Sequence, residues 1–134
     1  MLVIGPREYA KDVRIIEEEM VTAALWIDAN IPPDELLAIH DNGAVGYFTP
    51  RPLLDIAGLV NPEVIPIIID ENALWAMMQA HDARYLMAFP NQIPGGDIED
   101  EHLCPVFTTG NETAQAAGGE NMSVYALTWD GQCP

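Results

Sequence analysis

Residues 35–61 read ELLAIHDNGAVGYFTPRPLLDIAGLVN, and this segment carries the clearest fold signal in the chain. The apolar run Leu36–Ile39 is followed by a polar turn, in which Gly43 gives the backbone the freedom to reverse. A short helix over 44–48 and a second apolar run over 51–56 complete the pattern. This order predicts a compact βαβ unit, and strands that are apolar on both faces are typical of a covered parallel sheet.

The rest of the chain places this unit in a single α/β domain of residues 1–134. Apolar residues recur every three or four positions from Arg7 to Asn30, which predicts a long N-terminal amphipathic helix, with the glutamates 17–19 on its solvated face. A further helix is predicted over Ala73–His81. The later strands are predicted at Arg84–Phe89, Pro105–Thr109 and Met122–Trp129. Together these elements predict a three-layer fold whose sheet is mostly parallel with an antiparallel edge.

The charge of the chain excludes several classes of partner. The sequence has 21 acidic and 5 basic residues and a formal net charge of -16. A field of this sign repels nucleic-acid phosphates and anionic lipid headgroups, so nucleic acid is not expected as a partner. No window reaches the roughly 20 apolar residues that span a bilayer, and residues 1–12 lack the pattern of a signal peptide. The chain as given is therefore expected to be soluble.

Familiar catalytic and metal-binding motifs are missing from the sequence. The only serine, Ser123, lies in a predicted strand without a GxSxG elbow, and no phosphate-binding glycine loop occurs, so no cofactor is expected. Adjacent His–Asp pairs at 40–41 and 81–82 point apart on a strand or helix and cannot chelate one ion together. The acidic loop 97–102 lacks the spacing of a calcium loop. No metal site is predicted.

The two cysteines are compatible with two interpretations. Cys104 and Cys133 are separated by 29 positions and show no CxxC or Cys/His spacing, which argues against zinc. They either form a disulfide, if the compartment is oxidising, or remain unpaired thiols.

The candidate ligand-binding residues follow the strands of the βαβ unit. In open parallel sheets, ligands bind outside the carboxyl ends of the strands. Asp41, Asn42 and Gly43 follow the first of these strands, and Asp55 ends the second. These four residues are therefore the predicted ligand contacts. The alternative is that they act structurally, as turn formers and strand-end hydrogen-bond partners.

Residues 26–66 also carry a family resemblance. They read WIDANIPPDELLAIHDNGAVGYFTPRPLLDIAGLVNPEVIP. This segment resembles the carboxyl-terminal soluble region of bacterial polytopic glycosyltransferases of the GT-C type, the group related to protein mannosyltransferases and lipid-linked-sugar transferases. Its most specific part is HDNGAVGYF followed by DIAGLVNPE. Later segments, at 84–90 and 118–129, fit as well, so the resemblance covers most of the chain.

The resemblance implies a non-catalytic accessory domain of a membrane glycosyltransferase. Such a domain would follow the last transmembrane helix and lie on the extracytoplasmic face of the cytoplasmic membrane. Its implied partners are the transmembrane portion of the same polypeptide and a polyprenyl-phosphate sugar or a glycan acceptor. The catalytic acids of such enzymes lie in loops of the membrane region, and no residue of this chain matches them.

Two other functions remain open from the residues alone. The first is a free-standing small enzyme or ligand-binding module, in which Asp41 and Asp55 act as strand-end acid and base. The second is a protein-interaction module that presents an exposed apolar patch, either on the face of Trp75, Met77 and Met78 or on the first helix.

Overall fold

A computed structural model describes residues 6–40, 43–48, 50–56, 71–110 and 121–133, with side chains from 18 onward in the first helix and from 46 onward in the second. The α-helices are α1 (Pro6–Asn30), α2 (Gly43–Phe48) and α3 (Glu71–Ala80). The strands are β1 (Leu37–Ile39), β2 (Leu53–Asp55), β3 (Tyr85–Ala88), β4 (Leu103–Thr108) and β5 (Ser123–Leu127). Two short 3₁₀ turns, Pro90–Gln92 and Pro94–Gly96, follow β3.

The strands form one mixed sheet in the order β2-β1-β3-β5-β4. β1 pairs in parallel with both β2 and β3, whereas β5 pairs antiparallel with both β3 and β4. The predicted α/β class is confirmed. The sheet is more evenly mixed than predicted, because β5 lies between β3 and β4 and converts both of these contacts into antiparallel pairs.

The predicted βαβ unit is confirmed in detail. β1, α2 and β2 follow one another within residues 37–55. The two strands pair in register from Leu37 opposite Leu53 to Ile39 opposite Asp55. The amide of Ile56 then donates to the carbonyl of Ile39 at 2.8 Å, which continues the ladder beyond the strand. Local sequence signals were sufficient here because strand, turn and helix are all short and adjacent.

Helices pack on both faces of the sheet. All three residues of β1 are buried, and their alternation sends neighbouring side chains to opposite faces. One face packs against α1, through Ala23, Ala24 and Ile27, and contributes Leu37, Ile39, Met87 and Val124. The other face packs against α3, through Leu74, Trp75 and Met78, and contributes Ala38, Leu86, Tyr125 and Leu127. The core is therefore divided by the sheet into two apolar layers.

The packing tests one of the two sequence expectations about helix faces. In α3, Trp75 and Met78 are buried and Met77 is half-buried, so this face is covered by the sheet and the expectation of an exposed patch there is wrong. In α1, the amphipathic pattern over residues 7–17 concerns side chains outside the described residues and stays a prediction.

Glu19 corrects the expectation that residues 17–19 form a solvated face. Its side chain is 1% exposed and faces the end of the β4–β5 pair. The carboxylate accepts hydrogen bonds from the hydroxyl of Thr109, from Nδ2 of Asn121 at 3.1 Å and from the amide of Met122 at 2.9 Å. A buried carboxylate needs such donors to offset the loss of water, so this contact fixes α1 against the sheet.

Arg51 fixes the carboxyl end of α1. Its guanidinium donates to the carbonyls of Pro32 and Ile31, both at 3.1 Å, and of Ile27 at 3.4 Å. These carbonyls belong to the last turn of α1 and to the two residues that follow it, where a cation is also favoured by the helix dipole. Burial lowers the pKa of Arg51 from its ordinary value, an effect opposed by the nearby acids Asp28 and Glu35. The guanidinium remains charged and joins the βαβ unit to the first helix.

Replacing Glu19 tests its role as a structural tie. Glu19→Gln places an amide donor among groups that are themselves donors, so it is expected to lower the free energy of unfolding by about 1 to 3 kcal/mol. Glu18→Gln is the matched control, since Glu18 is the exposed neighbour and should change stability by less than about 0.5 kcal/mol. Urea denaturation followed by tryptophan fluorescence measures both. Equal losses in the two variants would contradict the proposed tie.

The helix-end contact of Arg51 gives a second test. Arg51→Met keeps much of the aliphatic stem but removes every donor, and we expect a loss of about 1 to 2 kcal/mol. Arg84→Met is the control, because Arg84 is exposed and pairs with Asp82. Thermal unfolding should separate the two variants. Identical melting temperatures would show that the Arg51 hydrogen bonds do not stabilise the fold.

Candidate functional site

Two concave surfaces lie at opposite ends of the strands. The first, which we call the carboxyl-end cleft, has a volume of about 280 Å³. It is lined by His40, Ile56, Glu71, Leu74 and residues 91–95. β1, β2 and β3 all end beside this cleft, and α3 begins there. The topology alone therefore brings these residues together. The sequence predicted a ligand at these carboxyl ends of the parallel strands.

Backbone geometry brings Glu71 into close contact with the wall of this cleft. Gly95 has φ +82°, a conformation that favours glycine, and a Cβ added there would lie 2.5 Å from the Glu71 carboxylate. The preceding turn is held by Gln92, whose Oε1 accepts a hydrogen bond from the amide of Phe89 at 3.0 Å. A side chain at position 95 would therefore displace the Glu71 carboxylate, which is the exposed end of a flexible side chain.

The predicted contact residues are distributed unevenly around this cleft. Asp41 and Asn42 lie outside the described residues, and Gly43 begins α2. Asp55 ends β2 and is 2% exposed, so its carboxyl group is withdrawn from solvent. The polar groups that line the cleft come instead from the neighbours His40 and Glu71 and from the turn after β3. Ligand contact by the four predicted residues stays a prediction.

The second surface, which we call the aromatic groove, lies at the start of β1 and β3 and the end of β5. It has a volume of about 640 Å³. Its lining residues are Glu35, Arg84, Tyr85, residues 126–130, Gln132 and Cys133. Because β3 and β5 are antiparallel, the start of one strand meets the end of the other, and the amide of Leu127 donates to the carbonyl of Arg84 at 2.8 Å. Segments distant in the sequence thus form one groove.

Trp129 is held firmly in the groove wall. Its indole Nε1 donates to the carbonyl of Ala83 at 3.2 Å. Its ring contacts Trp75 edge to face, with centroids 6.5 Å apart, and lies 5.6 Å from the ring of His102. His102 stacks on Trp75 at 4.7 Å, and its Nδ1 lies 2.7 Å from Asp100. A packed aromatic cluster therefore supports the tryptophan from behind.

Asp130 is fixed beside this tryptophan. Its Oδ1 accepts hydrogen bonds from the amide of Gln132 at 3.0 Å and from the hydroxyl of Thr128 at 2.8 Å. These bonds, the Gln132 amide first, hold the pKa of the Asp130 carboxyl below its ordinary value. The group is an ionised acceptor at neutral pH, with its orientation set by the backbone around it.

A disulfide holds the segment that forms this wall. Cys133 is bonded to Cys104 of β4, and their Cα atoms are 5.7 Å apart. Residues 128–133 are therefore tied to the sheet at both ends, by β5 and by the disulfide. Of the two readings that the sequence left open for the cysteines, the structure contains the disulfide.

Two features are absent from the part of the chain that the structure describes. No described helix combines the length and the apolar character needed to cross a membrane. Within the same part of the chain, no group of three or more His, Cys, Asp or Glu side chains is placed to hold a metal ion.

Sequence reasoning missed the aromatic groove because its parts are far apart in the chain. Glu35, Arg84 and the segment 128–133 become neighbours only through the pairing of β3 with β5. One local signal was available. The carboxyl-terminal segment TWDGQC combines an aromatic ring, an acid and an amide next to a cysteine, directly after a predicted strand.

Comparison with known proteins gives one family. The model of the family described as "Domain of unknown function (DUF8728)" matches residues 9–125, most of the chain. No curated protein and no solved structure matches the chain.

The contact between Gly95 and Glu71 yields a test in the carboxyl-end cleft. Gly95→Ala and Gly96→Ala both place a side chain at positive φ, which costs about 1 to 2 kcal/mol. Only the alanine at position 95 also displaces the Glu71 carboxylate, since nothing lies within 4 Å of a Cβ at Gly96. Because this carboxylate is the exposed end of a flexible side chain, it can move aside, and the loss in Gly95→Ala should exceed that in Gly96→Ala by less than about 0.5 kcal/mol. An excess of more than about 1 kcal/mol in chemical denaturation would show that the Glu71 carboxylate cannot move aside.

Proposed function

The chain belongs to the DUF8728 family, and we propose that it is the non-catalytic extracytoplasmic domain of a membrane glycosyltransferase, where it recognises the acceptor or glycan. In this proposal the chemistry belongs to the transmembrane portion of the same polypeptide. The domain contributes a folded surface beside the outer face of the cytoplasmic membrane. The resemblance carried by HDNGAVGYF and DIAGLVNPE supplies the class of the parent enzyme.

The Cys104–Cys133 disulfide is the observation that carries the proposal. Disulfides persist in oxidising compartments and are rare where thioredoxin and glutathione keep thiols reduced. The bond here closes a 29-residue separation and ties the end of the chain to an edge strand. An extracytoplasmic location accounts for a structural disulfide in this position, whereas a reducing cytosol would leave the wall of the aromatic groove untied.

The acidic surface favours the acceptor over the donor as the ligand. A polyprenyl-phosphate sugar is anionic, and a net charge of -16 opposes its phosphate. An uncharged acceptor or glycan meets no such barrier. The burial of Asp55 also argues against the free-standing enzyme, because an acid or base must be within reach of its substrate.

The coding context of the chain tests the proposed parent enzyme directly. We expect several apolar spans of about 20 residues upstream in the same reading frame. A start codon at Met1 would contradict the proposal. The isolated chain should transfer no sugar from a polyprenyl-phosphate donor, whereas the parent protein should do so. Turnover by the isolated chain would move catalysis into this domain.

Removal of the disulfide measures its structural contribution. Cys104→Ser combined with Cys133→Ser is expected to lower the free energy of unfolding by about 3 to 4 kcal/mol, because the unfolded chain gains the entropy that the closed loop had removed. The matched control is the unaltered chain, which should lose similar stability when dithiothreitol is added, while the double variant should not respond. A double variant as stable as the oxidised chain would contradict a structural role for the bond.

A further inference from the structure

We infer that the aromatic groove is the recognition site itself and that its ligand is an uncharged oligosaccharide. This assignment rests on the proposed role in acceptor recognition and adds a place and a ligand class to it. The groove is the larger of the two described concavities, at about 640 Å³ against about 280 Å³. The groove is also open to solvent, so a ligand longer than the groove can extend beyond it.

Aromatic rings flank the groove from both faces of the sheet. Tyr85 packs with the apolar layer beneath α1, and Trp129 packs with the layer beneath α3. Both side chains are half-buried and line the groove. The face of an aromatic ring is electron-rich and attracts the weakly positive C–H groups on the flat side of a pyranose. Tyr85 and Trp129 are therefore the candidate stacking partners for sugar rings in this groove.

The remaining lining groups supply the hydrogen bonds that sugar hydroxyls require. A hydroxyl both donates and accepts, so its site must offer both kinds of partner. Glu35 and Asp130 provide carboxylate acceptors, Arg84 provides guanidinium donors, and Gln132 provides an amide with one of each. Planar side chains of this kind can contact adjacent hydroxyls at the same time.

The charge of the lining separates an oligosaccharide from charged ligands. Glu35 and Asp130 outnumber Arg84, whose guanidinium is already 3.3 Å from the carboxylate of Asp82, so an anionic ligand meets a net repulsion. A small cation would be attracted to the rings and acids, but it would leave the donors of Arg84 and Gln132 without a role. An uncharged ligand uses all of these groups.

The groove is also preorganised. Trp129 is bonded to Ala83, Asp130 to Thr128 and to the Gln132 amide, and Cys133 to Cys104. Ordering flexible groups on binding costs affinity, and these bonds place the ring of Trp129 and the carboxylate of Asp130 before the ligand arrives. Weak sugar contacts can therefore contribute to binding instead of being offset by lost side-chain freedom.

Titration of the oxidised, ¹⁵N-labelled chain with tetrasaccharides tests the assignment. The probes are mannotetraose, maltotetraose and chitotetraose, with choline and inorganic phosphate as charged comparisons. The chain has three tryptophans, and only the indole of Trp129 lies in the groove. Because Trp75 contacts Trp129, the indole signal of Trp26 serves as the internal reference. We expect at least one tetrasaccharide to shift the Trp129 indole signal saturably, and neither charged probe to do so.

Variants decide whether such binding uses the groove. Gln132→Ala removes an exposed amide without a core contact and should weaken binding about three- to tenfold. Gln79→Ala, which removes an exposed amide on α3, should leave the affinity unchanged. Trp129→Ala should weaken binding at least about tenfold, provided that its spectrum shows a folded chain.

Several results would overturn the assignment. These are no shift with any tetrasaccharide up to about 10 mM, a saturable shift with choline or phosphate alone, shifts confined to the carboxyl-end cleft, or equal affinity in Gln132→Ala and Gln79→Ala. An extracytoplasmic, disulfide-bonded chain without sugar binding removes only the groove assignment. A reduced cytosolic chain that still binds sugar removes only the proposed function.

Discussion

The burial of the central strands on both faces is the constraint on which the rest of this structure depends. β1, β3 and β5 are buried over most of their length, so each face of the sheet must be covered by an apolar surface. α1 and α3 provide these surfaces. Once both faces are covered, the polar groups and concavities near the sheet are confined to the two ends of its strands. The carboxyl-end cleft and the aromatic groove therefore lie at opposite strand ends.

A small number of polar contacts holds the covering elements in place. Glu19 joins α1 to the β4–β5 pair, and Arg51 joins the end of the same helix to the βαβ unit. The Cys104–Cys133 disulfide performs the same task for the last residues of the chain. Each contact links segments far apart in sequence. They fix the positions of α1 and of residues 128–133, which the apolar layers alone would hold less firmly.

The sequence predicted those parts of the fold that depend on local signals. The βαβ unit and α3 follow from short apolar periods bounded by glycine, proline and acids, and the carboxyl-end edge follows from the general behaviour of parallel strands. The insertion of β5 between β3 and β4 was not predictable, because strand pairing across a long connection leaves no local pattern. The burial of Glu19 was not predicted, for a related reason. A run of glutamates is typical of a solvated surface, and only the distant donors Thr109, Asn121 and Met122 make burial of one carboxylate favourable. The aromatic groove depends on the same long-range pairing.

Our central proposal is that the chain works as a disulfide-bonded recognition domain outside the cytoplasm. The most direct measurement is the redox state of Cys104 and Cys133 in the source cells, obtained by trapping free thiols in intact cells with a membrane-permeant alkylating reagent and counting labelled cysteines by mass spectrometry. On this proposal, both cysteines stay unlabelled until a reductant is added, and the chain is recovered with the cell envelope. Labelling of both cysteines before reduction, in a chain recovered from the cytosol, would contradict it.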